Sequence, residues 1–124
     1  MTDNSPDVPL SKDLVEQAIH HATSGLSHPE DRPGQREMAF AVMDAINSKQ
    51  PLIVQAGTGT GKTLAYLVPA ILSRQRVLVS TGTKNLQEQI FFKDLPSLRE
   101  VLNVPFTATL MKGRSNYLCL HRFE

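Results

Sequence analysis

Eight residues constrain this chain more than any others: "AGTGTGKT", residues 56–63. Three glycines alternate with threonines and lead into one lysine, directly behind the apolar run "PLIV". Glycine reaches backbone conformations that other residues adopt only at a steric cost. Placing three of them between a short apolar run and a helix-forming stretch builds a strand, a tight loop and a helix in succession. Successive N–H groups around such a loop turn inward and form a concavity for an anion. The helix that follows adds its N-terminal donors and dipole. The spacing fits G-x-x-x-x-G-K-[ST], with Ala56 standing where the first glycine usually does. Gly57, Gly59 and Gly61 supply the curvature, with Thr58 and Thr60 between them. Lys62 can then reach β- and γ-phosphate oxygens, and the Thr63 hydroxyl can ligate Mg²⁺.

The flanking pattern is that of an α/β chain. Leu14, Ala18, Ile19 and Ala22 fall at helical spacing from Ser11, with Gly25 as terminator, and "SHPEDRPG" reads as a loop. A second helix is expected over 35–48, with Met38, Ala41, Val42, Ala45 and Ile46 on one face. After the glycine-rich run, Leu64, Leu67, Val68 and Ile71 mark a third helix, in which Pro69 should cause a kink or an early end. Helices are also expected over 84–93 and 97–102. Buried strands are expected at "PLIVQA", "RVLVST" and "FTATLM". Strands separated by helical stretches imply crossovers and a parallel sheet.

The 124 residues are one ordinary domain in length, 40% hydrophobic and 20% charged, as in a globular protein. No apolar run approaches the ~20 residues that span a bilayer. The opening "MTDNSPDVPL" lacks the order of a secretion signal, so a cytoplasmic location is the default expectation. One cysteine, Cys119, excludes an internal disulfide and cannot complete a metal site alone. Residues 1–31 hold six acids against Lys12, whereas 32–124 hold twelve bases against six acids. That asymmetry fits either an anionic partner for the larger part or a solvated surface.

Two stretches refine the phosphate reading. In "RPGQREM", Arg32 and Gln35 open a helix about twenty residues before the loop; a glutamine amide can read adenine by donating to one edge atom and accepting from the amino group. In "STGTKNLQEQI", the end of the second apolar run offers Ser80, Thr81, Thr83, Lys84, Asn85 and Gln87. These suit a sugar–phosphate backbone, although Thr83 could equally cap the next helix.

"RPGQ", "AGTGTGKT", "STGTKNLQEQ", "DLP" and "KGRSNYLC", in this order, resemble the superfamily 2 iron–sulfur DNA helicases of the DinG, YoaA and XPD type, with the YoaA type nearest. The resemblance runs from Arg32 to Arg122, and it implies the following roles. Residues 1–30 would be an acidic segment with one helix, 31–111 the first part of a RecA-like ATP-binding domain, and 112–124 the start of an iron–sulfur insertion. Arg32 and Gln35 would sense adenine. Residues 56–63 would hold ATP and Mg²⁺, with Lys62 and Thr63 in the catalytic role. Thr81, Thr83, Lys84 and Gln87 would contact single-stranded DNA, and Cys119 would be the first of four ligands to a [4Fe–4S] cluster. Without the resemblance, Cys119 reads as a small buried residue.

The implied activity is ATP-driven 5′ to 3′ unwinding, with single-stranded and forked DNA as partners, replication or repair proteins as candidates, and no membrane. Such a protein would be cytoplasmic and nucleoid-associated when on DNA. The expected chain is an N-terminal fragment, because the Asp-Glu box and the second RecA-like domain are not within it. Two other readings stand beside this one: a different P-loop enzyme such as a small-molecule kinase, and a nucleotide-binding or interaction module without catalysis.

Overall fold

The computed structural model describes residues 9–24, 32–57 and 61–123. Among them the chain forms helix α1 (Lys12–Ser24), α2 (Pro33–Ser48), α3 (Lys62–Leu72), α4 (Lys84–Gln89), α5 (Leu95–Leu102) and the short α6 (Leu120–Phe123). A π-helical turn, Ile90–Asp94, joins α4 to α5, and Arg114–Asn116 make one 3₁₀ turn.

Three helices build the core. α2 packs along α3, and α1 lies against α2, α3 and α5. Val15, Ala18 and Ile19 of α1 meet Ala39 and Met43 of α2, Ala65, Leu67 and Val68 of α3, and Ile90 and Leu98 beyond them. Val15, Val68, Pro69 and Leu98 are fully buried, each worth about 1.5–3 kcal/mol of transfer free energy for a side chain of this kind. Ala39 and Ala65 are wholly buried too, and their small side chains suit a close approach of α2 and α3. The Asn47 side chain clamps the chain ahead of α1. Its Oδ1 accepts from the Leu10 amide at 2.9 Å, and its Nδ2 donates to the Leu10 carbonyl at 3.0 Å.

The expected helices form, with shifted faces. In α2 the stripe that enters the core is Gln35, Ala39 and Met43 rather than the one through Ala41, Val42 and Ala45. Packing on α3 selects the stripe, and the helix has apolar residues on both. In α1, Val15 is buried and Leu14 is not. α3 runs on through Pro69 to Leu72. Pro69 leaves only the Ala65 carbonyl without its helical donor, and its ring is buried in the core, so the helix does not end there. The terminator Gly25 and most of "SHPEDRPG" lie outside the described residues.

The expected parallel sheet is not shown. Among the described residues, 51–56, 76–81 and 106–111 form no β-ladder. Ile53 is 97% and Leu78 94% exposed, where burial was expected. A helix satisfies its backbone within itself, but a parallel strand needs a strand beside it and cover on both faces. Here α1, α2 and α3 cover one another instead.

Candidate functional site

The glycine-rich loop meets the core at Gly61. This residue precedes α3 with φ 76°, in the left-handed region that only glycine adopts freely. A side chain there would collide with the Gln35 amide nitrogen and come within 3.3 Å of Arg32 Nη1. Gln35 Nε2 donates to the Gly61 carbonyl at 3.1 Å across 26 residues of sequence. Gln35 is the one buried polar residue among those described, 3% exposed. The structure therefore brings Arg32 and Gln35 onto the loop itself. One amide hydrogen of Gln35 is committed to Gly61, which leaves its Oε1 and a second N–H. Gln35 also lines an open cleft of about 720 Å³ between α1 and α2, with Arg32, Arg36, Glu16 and His20. Pro33 sits in the first turn of α2, where its missing N–H costs nothing, and Arg32 is the N-cap.

Lys62 opens α3, and its Nζ donates back to the Ala56 carbonyl at 3.2 Å. Its ammonium thus ties the start of α3 to the residue before the glycine-rich loop. Thr58, Gly59 and Thr60 lie outside the described residues. Tyr66 lies one turn along α3 from Thr63, near enough for the Thr63 hydroxyl to bear on its ionisation. Tyr66 has its pKa raised, first by burial and also by the charge of Asp94, against the lowering effect of Thr63. Asp94 ends the π-helical turn. Burial raises its pKa, while Lys93 and the Gln89 side chain lower it. Its Oδ2 is buried without a hydrogen-bond partner. Asp94 is the first residue of the "DLP" motif, which carried no role for it, and Tyr66 lies in none of the motifs. The one available signal is the three-residue step from Thr63 to Tyr66, which puts both on one helix face.

For Mg²⁺-bound triphosphate the donor set fits: a left-handed glycine with no room for a Cβ, a lysine at the loop mouth, and a hydroxyl in the first turn of a helix.

The predicted DNA-contacting residues are spread along the start of α4. Thr83 is its N-cap, with Oγ1 accepting from the Leu86 amide at 3.3 Å, and Thr81 Oγ1 donates to the Thr83 carbonyl at 3.2 Å. Lys84 is exposed. Gln87 turns away from this edge, its Nε2 donating to the Met111 carbonyl at 2.6 Å. Beside it, Lys112 Nζ reaches Glu88 Oε1 at 2.6 Å, and this contact holds the Glu88 carboxyl below its ordinary pKa. α4 thereby docks the segment leading to Cys119. That thiol is exposed, not buried. The described residues contain no cluster of histidine, cysteine and carboxylate able to hold a metal. A [4Fe–4S] cluster needs four ligands, and the chain's one cysteine does not fit it alone.

Comparison with known proteins adds an independent line. The DEAD/DEAH box helicase family model matches residues 32–116. The chain is 54% identical over 93 residues to the ATP-dependent DNA helicase YoaA of Escherichia coli, which covers 75% of this chain and 15% of that protein. It is 50% identical over 101 residues to the ATP-dependent helicase DinG of Mycobacterium tuberculosis, covering 75% and 15%. Against a Bacillus subtilis protein named 3′-5′ exonuclease DinG, it is 42% identical over 99 residues, covering 77% and 11%. The chain thus spans about one seventh or less of these relatives. No solved structure matches. The family model covers well over half of the chain, including Arg32, Gln35, the loop, Lys62, Thr63 and α4, and a RecA-like P-loop fold goes with it. The chain belongs to the DEAD/DEAH box helicase family.

Proposed function

We propose that this chain is the nucleotide-binding start of an ATP-dependent DNA helicase of the DinG/YoaA type. The observation that carries the reading is the tie between Gln35 and Gly61, which joins an adenine-reading group to a phosphate cradle. ATP enters with its triphosphate against the loop and its base towards the cleft lined by Gln35. Lys62 would exchange the Ala56 carbonyl for phosphate oxygens, and the Thr63 hydroxyl would hold Mg²⁺. Mg²⁺ supplies neutralisation of the charge that develops during phosphoryl transfer. Gln35 accepts from the adenine 6-amino group through Oε1, which guanine cannot satisfy.

In the same reading, 51–56, 76–81 and 106–111 pair in a parallel sheet of a RecA-like domain. Their exposed valine, isoleucine and leucine side chains support this, because such apolar runs suit strands covered on both faces. Thr81, Thr83 and Lys84 contact single-stranded DNA, and Cys119 contributes one thiolate to a [4Fe–4S] cluster. The 5′ to 3′ direction, forked substrates and a cytoplasmic setting follow from the resemblance alone.

ATP turnover by the intact helicase, with and without single-stranded DNA, tests the proposal. The expected result is hydrolysis stimulated by DNA. Turnover indifferent to DNA but stimulated by a small phosphate acceptor would replace this reading with a kinase.

A further inference from the structure

Lys112 has no part in the function just described, yet it is held from both sides. Gln87 Nε2 donates to the carbonyl of the residue before it, Met111, at 2.6 Å. The Lys112 amide donates to the Tyr117 hydroxyl at 2.8 Å, across a turn closed by the Asn116 amide on the Gly113 carbonyl at 2.9 Å. Its ammonium meets Glu88 Oε1 at 2.6 Å, and its side chain is only 22% exposed. Backbone and side chain are thus fixed before any ligand arrives, which spares the entropy that a free lysine loses on binding. Glu88 stands one helical turn after Lys84 on α4, so these two side chains share a face of the helix. A single carboxylate therefore answers to two cations, and both lower its pKa, Lys112 before Lys84.

We propose that Lys112 is a phosphate-contacting residue for single-stranded nucleic acid, next along the strand from Lys84, and that Glu88 is an anionic placeholder that occupies it until a phosphate arrives. The proposal rests on the reading of the α4 edge as a nucleic-acid surface. The carboxylate presents to Lys112 what a phosphodiester would present: oxygen acceptors carrying one negative charge. An exposed ion pair of this kind contributes little to stability, so an incoming phosphate displaces it at small cost. The polyanion gains besides from release of its counterions, which a carboxylate of the protein does not offer. Glu88 then turns to solvent, where it is already half exposed. Gln87 and Tyr117 keep residues 111 and 112 in place during the exchange, so the cation is delivered without moving the segment. Gln87, expected from the sequence to touch DNA, becomes a positioning residue that acts through Met111.

The test is equilibrium binding of an oligothymidylate to the intact helicase over a series of salt concentrations, without nucleotide, so that no turnover enters. Each phosphate contact to a single strand contributes about −0.7 to the slope of log K against log salt. Lys112→Ala is expected to make that slope shallower by about 0.7. Glu88→Gln removes the charge but keeps an acceptor for the Lys112 ammonium, so the segment stays docked. It is expected to tighten binding by about 2- to 5-fold, the factor that one exposed ion pair withholds. In the Lys112→Ala background most of that gain should vanish. A gain of full size there would mean that Glu88 merely repels the strand, and it would overturn the placeholder. A slope unchanged in Lys112→Ala overturns the proposal outright, because a lysine that only docks its segment leaves the phosphate count as it was. Lys84→Ala separates this from the underlying reading. A shallower slope there, with none in Lys112→Ala, keeps the α4 edge and removes Lys112 from it. If neither lysine moves the slope, the strand does not pass along α4, and the reading beneath the proposal falls as well.

Discussion

The helical core and the three apolar segments around it contain similar residues in opposite environments. Val15, Val68 and Leu98 are fully buried between helices, whereas Ile53 and Leu78 face solvent almost entirely. Composition does not separate them. What separates them is where the backbone finds its hydrogen bonds. α1, α2 and α3 close theirs locally, so each helix can present a finished apolar stripe to its neighbour. Segments 51–56 and 76–81 can close theirs only against another strand. Apolar patterning therefore fixes what a helix does, but states only what a strand requires.

The sharpest way to break this contrast is a matched pair of substitutions. Leu98→Ala should lower stability by about 2–5 kcal/mol, the usual range for truncating a buried leucine. Leu78→Ser separates two states: with Leu78 exposed as described, it should change stability by no more than about 0.5 kcal/mol, whereas in the parallel sheet proposed for 76–81 the loss should approach that of Leu98→Ala. Urea unfolding of both variants checks this. A large loss at Leu78 would mean that a partner strand covers it.

The loop sits at the boundary between the two regions, and Gly61 marks the join. Gly61→Ala forces an L-residue into the left-handed region, costing roughly 1–2 kcal/mol, and displaces the Gln35 amide as well. Thermal unfolding should report the first effect, and weaker ATP binding the second. Retained stability and affinity would show that Gln35 and Arg32 do not press on the loop.

Gln35→Ala sharpens the adenine assignment. The substitution should narrow the ATP-over-GTP preference of the intact protein by about tenfold, the scale of one lost hydrogen bond. Competition binding with the two nucleotides measures it, and an unchanged preference would leave Gln35 with a purely structural tie to Gly61.

The smallest effect belongs to the outer segment. Glu88 has its pKa lowered by Lys112, so the contact is intact above the ordinary carboxylate range and is lost as pH falls through the lowered value. Both side chains reach solvent, so Lys112→Ala should leave overall stability nearly unchanged. Amide exchange across 111–117 should nevertheless rise in the variant and, in the parent, on acidification. Exchange that ignores both changes would mean that Gln87 alone docks the segment.

Much of the site was legible in the sequence because its logic is local. Gly61, Lys62 and Thr63 are adjacent, and α3 follows them as the spacing requires. The Thr83 cap was also readable, since a threonine just before a helix accepts a hydrogen bond from the third residue on. The stripe of α2 that turns inward was not, because apolar residues ring that helix and only its packing on α3 decides. Nor was the tie from Gln35 to Gly61, which spans 26 residues and was expected to serve adenine alone. Asp94 entered only as the first residue of "DLP", with no role attached, since a π-helical turn has no pattern that distinguishes it from the α-helix it interrupts.

The account stands on residues 61–63 forming a triphosphate cradle with Gln35 behind it. Calorimetric titration of Mg²⁺–ATP into the intact protein and into Lys62→Ala tests that claim most directly. A hydrogen bond to a charged group contributes about 1.5–3 kcal/mol, so losing the Lys62 contact to phosphate should weaken binding by about 10- to 150-fold. The account predicts measurable ATP binding in the parent and its loss in Lys62→Ala at an unchanged melting temperature. Equal binding by the two proteins would contradict it.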